Sequence, residues 1–185
     1  MENNTVNQLK EKLAVLLHKD ALKKGKFTLS SGKESDFYLD GRIITMTPEG
    51  AYLVASIILE WIKGADIQAL GGPTLGADPI VGAVAVLSHI QQVPLKTFIV
   101  RKQAKEHGTQ RQVEGPALKA GDRVVIVDDV ATTGKSLVEA KAALDKMGVV
   151  VDRAIVIVDR NDGARENLEA IDCKLQAIFN IKELV

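Results

Sequence analysis

Leucines at positions 9, 13, 16 and 17 recur with the spacing of one helical face, which predicts an amphipathic helix from about Val6 to Lys23 that stops near Gly25. The stretch FTLSSGKESDFYLDGR changes period and reads as two short strands around a Ser-Ser-Gly-Lys turn. Thr47 and Pro48 suit an N-cap and a first helical position, and Leu53, Ile57 and Trp61 give the helix that follows, to about Lys63, its buried face. Beyond it, strands and helices alternate. Strands are expected at Ile67–Leu70, Lys96–Val100, Arg123–Val127, Val150–Val158 and Leu175–Phe179, and helices at Asp78–Gln91 and Ser136–Met147. Near-continuous apolar strands between helices imply an α/β fold, with a parallel sheet covered on both faces. The N-terminal residues 1–46 depart from the alternation and are expected to form a helix and hood on a single domain spanning 1–185.

Composition narrows the class only slightly. In 185 residues, 46% hydrophobic and 26% charged is an ordinary globular balance, long enough for a sizeable core. Lys plus Arg equal Asp plus Glu at 24 each, so the global basic footprint of a nucleic-acid binder is missing. Cys173 is the single cysteine and reads as a buried structural thiol, and no Cys/His cluster has zinc spacing. No apolar run is long enough for a membrane span and the N-terminus has no apolar signal core, so a cytoplasmic protein with no membrane or nucleic-acid partner is expected.

The chemistry concentrates in VVIVDDVATTGKS, Val124 to Ser136. Its Gly-Lys-Ser ending resembles a triphosphate-binding P-loop, but that motif needs glycine where Asp129 stands, and a carboxylate there would repel the ligand. A strand running straight into a helix instead offers two carboxylates at the strand end, and free amides with a favourable dipole at the helix start. Asp128 and Asp129 can accept hydrogen bonds from vicinal hydroxyls, while Ala131 to Ser136, with the hydroxyls of Thr132, Thr133 and Ser136, can hold a phosphate. An Asp-Asp pair by itself reads more readily as solvated acids between a buried strand and an ordinary helix cap. The full string carries the sugar-phosphate reading.

Two further segments could face a leaving group. Gly71-Gly72-Pro73-Thr74-Leu75-Gly76 follows a strand and admits either a structural turn or a ligand loop. RKQAKEHGTQRQVEG, Arg101 to Gly115, is long, rich in cations and hinged at His107-Gly108, which suits a lid over an anion, or a solvated basic loop.

VVIVDDVATTGKS resembles the 5-phosphoribosyl 1-diphosphate (PRPP) motif of type I phosphoribosyltransferases, although Lys135 stands where that family more often has a small residue. The resemblance implies that Asp128 and Asp129 address the ribose hydroxyls and that the loop Val130, Ala131, Thr132, Thr133, Gly134, Lys135 and Ser136 binds PRPP, its phosphate on Thr132 to Ser136. The basic segment is similar to the catalytic loop R-K-x-x-K-x-H-G of orotate phosphoribosyltransferases, matched by Arg101, Lys102, Lys105, His107 and Gly108. In that family the loop reaches the neighbouring subunit's site, which implies a homodimer. Lys105 and His107 would then be catalytic beside Asp128 and Asp129, and Arg101 and Lys102 would bind PRPP.

Arg160, following the strand AIVIVDR, matches the family's Asp-Arg and would bind orotate with help from Thr132, while Phe37 and Tyr38 correspond to the hood beside the base. Some members carry Lys where Ser30 and Leu75 stand. The resemblance runs from about Leu16 to Arg160. It implies transfer of the phosphoribosyl group from PRPP to orotate, giving orotidine 5'-monophosphate and pyrophosphate in pyrimidine biosynthesis, with Mg2+ held mainly by PRPP and no direct protein ligand. The alternatives are a non-catalytic PRPP-binding regulator and a transferase for another base.

Overall fold

The computed structural model describes residues 2–28, 34–102 and 112–185. The chain opens with helix α1 (Glu2–Leu16), a wider helical turn (Leu17–Ala21), and strands β1 (Leu22–Thr28) and β2 (Glu34–Leu39). Helices α2 (Arg42–Thr45) and α3 (Pro48–Ile62) follow. The remainder runs β3 (Ala69–Pro73), α4 (Ala77–Ile90), β4 (Lys96–Val100), β5 (Val113–Glu114), β6 (Arg123–Ala131), α5 (Lys135–Asp145), β7 (Val150–Asp159), α6 (Ala164–Glu169) and β8 (Lys174–Asn180). Among the described residues no helix is long and apolar enough to cross a membrane.

Six strands form one sheet in the order β5-β4-β3-β6-β7-β8. All neighbours are parallel except β5, which pairs antiparallel with β4 through Ile99↔Glu114 and Val100↔Val113. The sheet is therefore mixed at one edge rather than wholly parallel. Period-2 alternation sends β6 side chains to opposite faces. Val125 and Val127 pack with Leu53, Ile57 and Val84 on one side, while Val124 and Ile126 pack with Leu137, Leu144 and Leu168 on the other. Both faces are covered, which is why β6 reads as a continuous apolar run. Cys173 is buried in the second of these clusters, and burial raises its thiol pKa.

The N-terminal helix ends earlier than its leucine spacing suggests. Leu13 and Leu17 are fully buried beside α3 residues, but from Leu22 the chain is a strand paired with β2, Leu22 opposite Leu39 and Lys23 opposite Tyr38. Hairpin pairing overrides the helical propensity of Leu-Lys-Lys. Thr47 does cap α3, its hydroxyl accepting from the Gly50 amide at 3.1 Å, a bond worth about 1 kcal/mol. Three elements were not expected from the pattern. These are α2, the two-residue β5 and the six-residue α6, each too short to display a period.

Candidate active site

β6 continues past Val127 to Ala131, so Asp128 and Asp129 are strand residues rather than loop residues. Asp128 lies opposite Val156, Val130 opposite Val158 and Ala131 opposite Asp159, and the Arg160 amide donates to the Ala131 carbonyl at 2.9 Å. The ladder thus holds both acids at the carboxyl end of a central strand, the edge at which open α/β sheets bind ligands. The free loop is only Thr132 to Gly134, where Gly134 takes φ +72° and hands the chain to α5. From α6, Asn167 Nδ2 donates to the Thr133 carbonyl at 2.9 Å and pins the turn.

The two carboxylates are buried side by side and are already engaged. The Asp129 amide donates to Asp128 Oδ1 at 3.0 Å, the Val130 amide to Asp129 Oδ1 at 2.8 Å, and the Ser136 hydroxyl to Asp128 Oδ2 at 2.9 Å. Burial, and then the neighbouring Asp129 charge, push Asp128 up to about 7, against the Ser136 bond that favours its charged form. Burial likewise raises Asp129, with the Val130 amide as the main opposing influence. Two glycines press on the pair. A Cβ on Gly76 would collide with Asp128 Oδ1, and one on Gly41 would stand 2.8 Å from the Asp129 Cβ. Only hydrogen at these positions leaves room for the acids.

A cleft of ≈ 610 Å³ opens over Asp129, Val130 and Thr132. Its second wall is Thr74, Leu75 and Gly76, with a cis Thr74–Leu75 peptide. Lys102 enters from the end of β4, and Tyr38, Asp40 and Arg42 close the hood side. The fold therefore brings together the diacid, the Gly-rich turn, part of the basic segment and the hood.

Other expected residues sit less directly. Arg101 is at the margin, 4.0 Å from Glu114, with its amide donating to the Gln112 carbonyl at 2.9 Å. Thr133 and Lys135 are exposed, and Lys135 lies 3.8 Å from Glu139 along α5. The Arg160 side chain is only 6% exposed; its Nε is 3.4 Å from Asp162 and its guanidinium lies 4.6 Å from the Phe37 ring centroid. Ser30, Lys105, His107 and Gly108 lie outside the described residues.

Asp40 and Arg42 were not singled out from the sequence. Arg42 pairs with Asp40 through two 2.9 Å bonds, Nε to Oδ1 and Nη2 to Oδ2, which holds the Asp40 carboxyl below its ordinary range and raises the Arg42 pKa. The only available signal was their place at the end of the predicted second strand, within DFYLDGR. Asn167 carried no signal at all.

Residues 54–182 match the phosphoribosyl transferase domain model. An orotate phosphoribosyltransferase from Nostoc sp. is 44% identical over 97% of this chain and 86% of its own. A crystal structure of the Mycobacterium tuberculosis orotate phosphoribosyltransferase with Fe(III) dicitrate superposes with a TM-score of 0.83 at 36% identity, covering 95% of this chain and 98% of that one. The same organism's enzyme in complex with PRPP gives a TM-score of 0.78 at 31% identity, with coverages of 95% and 98%. The chain belongs to the phosphoribosyl transferase family and, within it, to the orotate phosphoribosyltransferases.

Proposed function

We propose that this protein transfers the 5-phosphoribosyl group of PRPP to orotate, forming orotidine 5'-monophosphate and pyrophosphate as a step of pyrimidine biosynthesis in the cytoplasm. The observation that carries this reading is the buried Asp128–Asp129 pair at the end of β6, continuous with the Gly134 turn, whose Asp129 lines a cleft walled by the hood. Ionised, the two acids accept hydrogen bonds from the ribose hydroxyls. The amides and hydroxyls of Thr132 to Ser136 take the 5-phosphate, and Lys102 faces the diphosphate end.

A ring nitrogen of orotate attacks the anomeric carbon, the C–N bond forms as the C–O bond breaks, and the electron pair leaves on pyrophosphate with inversion. Lys105 and His107 of the basic segment neutralise that departing charge, one of them giving pyrophosphate a proton while the hydrogen of the attacking ring nitrogen is lost to water. No protein nucleophile takes part, so the rate comes from positioning and charge placement. Arg160 is the cation for the orotate carboxylate; the Phe37 ring lies against it, so this ring has to shift as orotate enters.

The carboxylates lining the cleft, Asp40 and Asp129, already accept from Arg42 and from the Val130 amide, which suits Mg2+ arriving with PRPP rather than held by protein. The ion would supply neutralisation of diphosphate charge. A homodimer is supported by the exposed Val86 and Ile90, one turn apart on α4, apolar side chains that a second copy would cover.

The test is the loss of orotate absorbance with PRPP and Mg2+ added to the protein. Turnover is expected. PRPP binding with no turnover of orotate would leave a PRPP-binding regulator or a transferase for another base.

A further inference from the structure

Asp40 and Arg42 stand on the hood side of the cleft and have no part in the transfer just described. Besides the two-pronged side-chain pair, the Arg42 amide donates to Asp40 Oδ1 at 3.0 Å, so the guanidinium is held in one orientation. The Arg42 side chain is 42% exposed, and an ion pair this open to water adds little to stability. Stability alone therefore gives weak reason for so exact a fork. What lies opposite gives a better one. Gly41, between the two partners, packs on Asp129, whose Oδ2 would stand 3.1 Å from a Cβ placed there, and Asp129 lines the same cleft.

We infer that the Asp40–Arg42 pair has a positioning role beside Asp129: the fork holds a cation and an anion together on either side of Gly41, so that neither alone sets the field at the carboxylate facing the ribose hydroxyls. This rests on the reading of Asp129 as a hydroxyl acceptor. The charges around Asp129 come from every side of the cleft: Asp128 from its own strand, Asp40 and Arg42 from the hood, Lys102 from the end of β4, with the Tyr38 phenol on the hood wall. The Gly76 turn contributes none. Burial is the main influence raising Asp129; of the pair, Asp40 opposes its ionisation and Arg42 favours it. Because the partners act in opposite directions, losing one should displace the protonation of Asp129 one way, losing the other should displace it the other way, and losing both should nearly cancel.

The experiment is PRPP affinity against pH, by titration calorimetry on the full chain with Mg2+, for the parent, Arg42→Gln, Asp40→Asn and their combination. The ionisation of PRPP itself is common to all and drops out of the comparison. The acidic limb should move up by about half a pH unit in Arg42→Gln, down by a similar amount in Asp40→Asn, and return to within a few tenths of the parent in the double variant. Arg42→Lys should restore most of the limb's position, since it keeps the charge. Equal weakening at every pH, or displacement in one direction for both single variants, overturns the inference.

Asp129→Asn separates the two layers. If it binds PRPP as the parent does, the hydroxyl-acceptor reading falls. If it loses PRPP while Arg42→Gln and Asp40→Asn leave the limb in place, only the positioning role falls. Should Asp40→Asn fail to fold, the contrast between Arg42→Gln and Arg42→Lys decides alone.

Discussion

Two walls of one cleft are built in different ways. Along Val124 to Ser136, thirteen consecutive residues supply the buried acids, the turn and the start of α5, and the two carboxylates accept their hydrogen bonds from within that stretch. Across the cleft, Tyr38 arrives on a two-stranded hairpin that belongs to a separate sheet, Asp40 and Arg42 follow at its exit into α2, and Phe37 meets Arg160 from the far end of β7. The first wall is local in sequence and anchored in the central sheet. The second exists only once the hairpin has folded over the sheet's edge. The ribose-phosphate end is thus fixed by strand geometry, whereas the base end depends on long-range packing.

The largest expected effect breaks the first wall. Asp128→Asn should lower kcat/KM by about 10²- to 10³-fold, because a neutral amide cannot replace a charged acceptor in a buried site. Stability should move the other way. The folded-state pKa of Asp128 lies above its ordinary value, at about 7, so the native protein holds the extra proton and loses stability as pH rises from about 4 through 7. Asn does not titrate, so thermal unfolding at pH 5 and pH 8 should show the variant gaining on the parent at the higher pH. A pH-independent difference would refute the buried-charge account.

An intermediate effect isolates the second wall. Arg160→Leu should raise KM for orotate about 10- to 100-fold while PRPP affinity stays within about twofold, read by steady-state kinetics with each substrate varied in turn. Equal losses for both substrates would mean that the two walls are one cooperative unit. The smallest effect tests how self-sufficient the loop is. Asn167→Ala removes the bond to the Thr133 carbonyl and should cost about 1 kcal/mol in denaturant unfolding, with a PRPP KM increase of about fivefold. No change in either would show that the turn keeps its shape without α6.

The contrast between the walls also explains what could be read from residues alone. Asp128, Asp129 and the Gly134 turn were legible because their chemistry is contiguous and sits on a strand–helix junction. Even so, the apolar run points to a strand end at Val127, since adjacent carboxylates look like a loop until their pairing with β7 is seen. Asp40 and Arg42 carry no such signal, because nothing in DFYLDGR says that the chain leaving the hairpin turns this pair toward Asp129. β5 and α6 escaped for a different reason: two residues and six residues are too short to express a period, and their existence depends on what they pack against. Arg160 was identified by motif, but its burial against Phe37 is a property of the folded hood.

The glycines at 41 and 76 have a consequence for how such a protein can change. Each puts a bare backbone against the diacid, so even a methyl group at either position would intrude on Asp128 or Asp129. The sugar-phosphate end is therefore closed to gradual redesign, and a lineage exploring other acceptor bases has its freedom on the hairpin, where Phe37 and Tyr38 can be exchanged without disturbing the diacid.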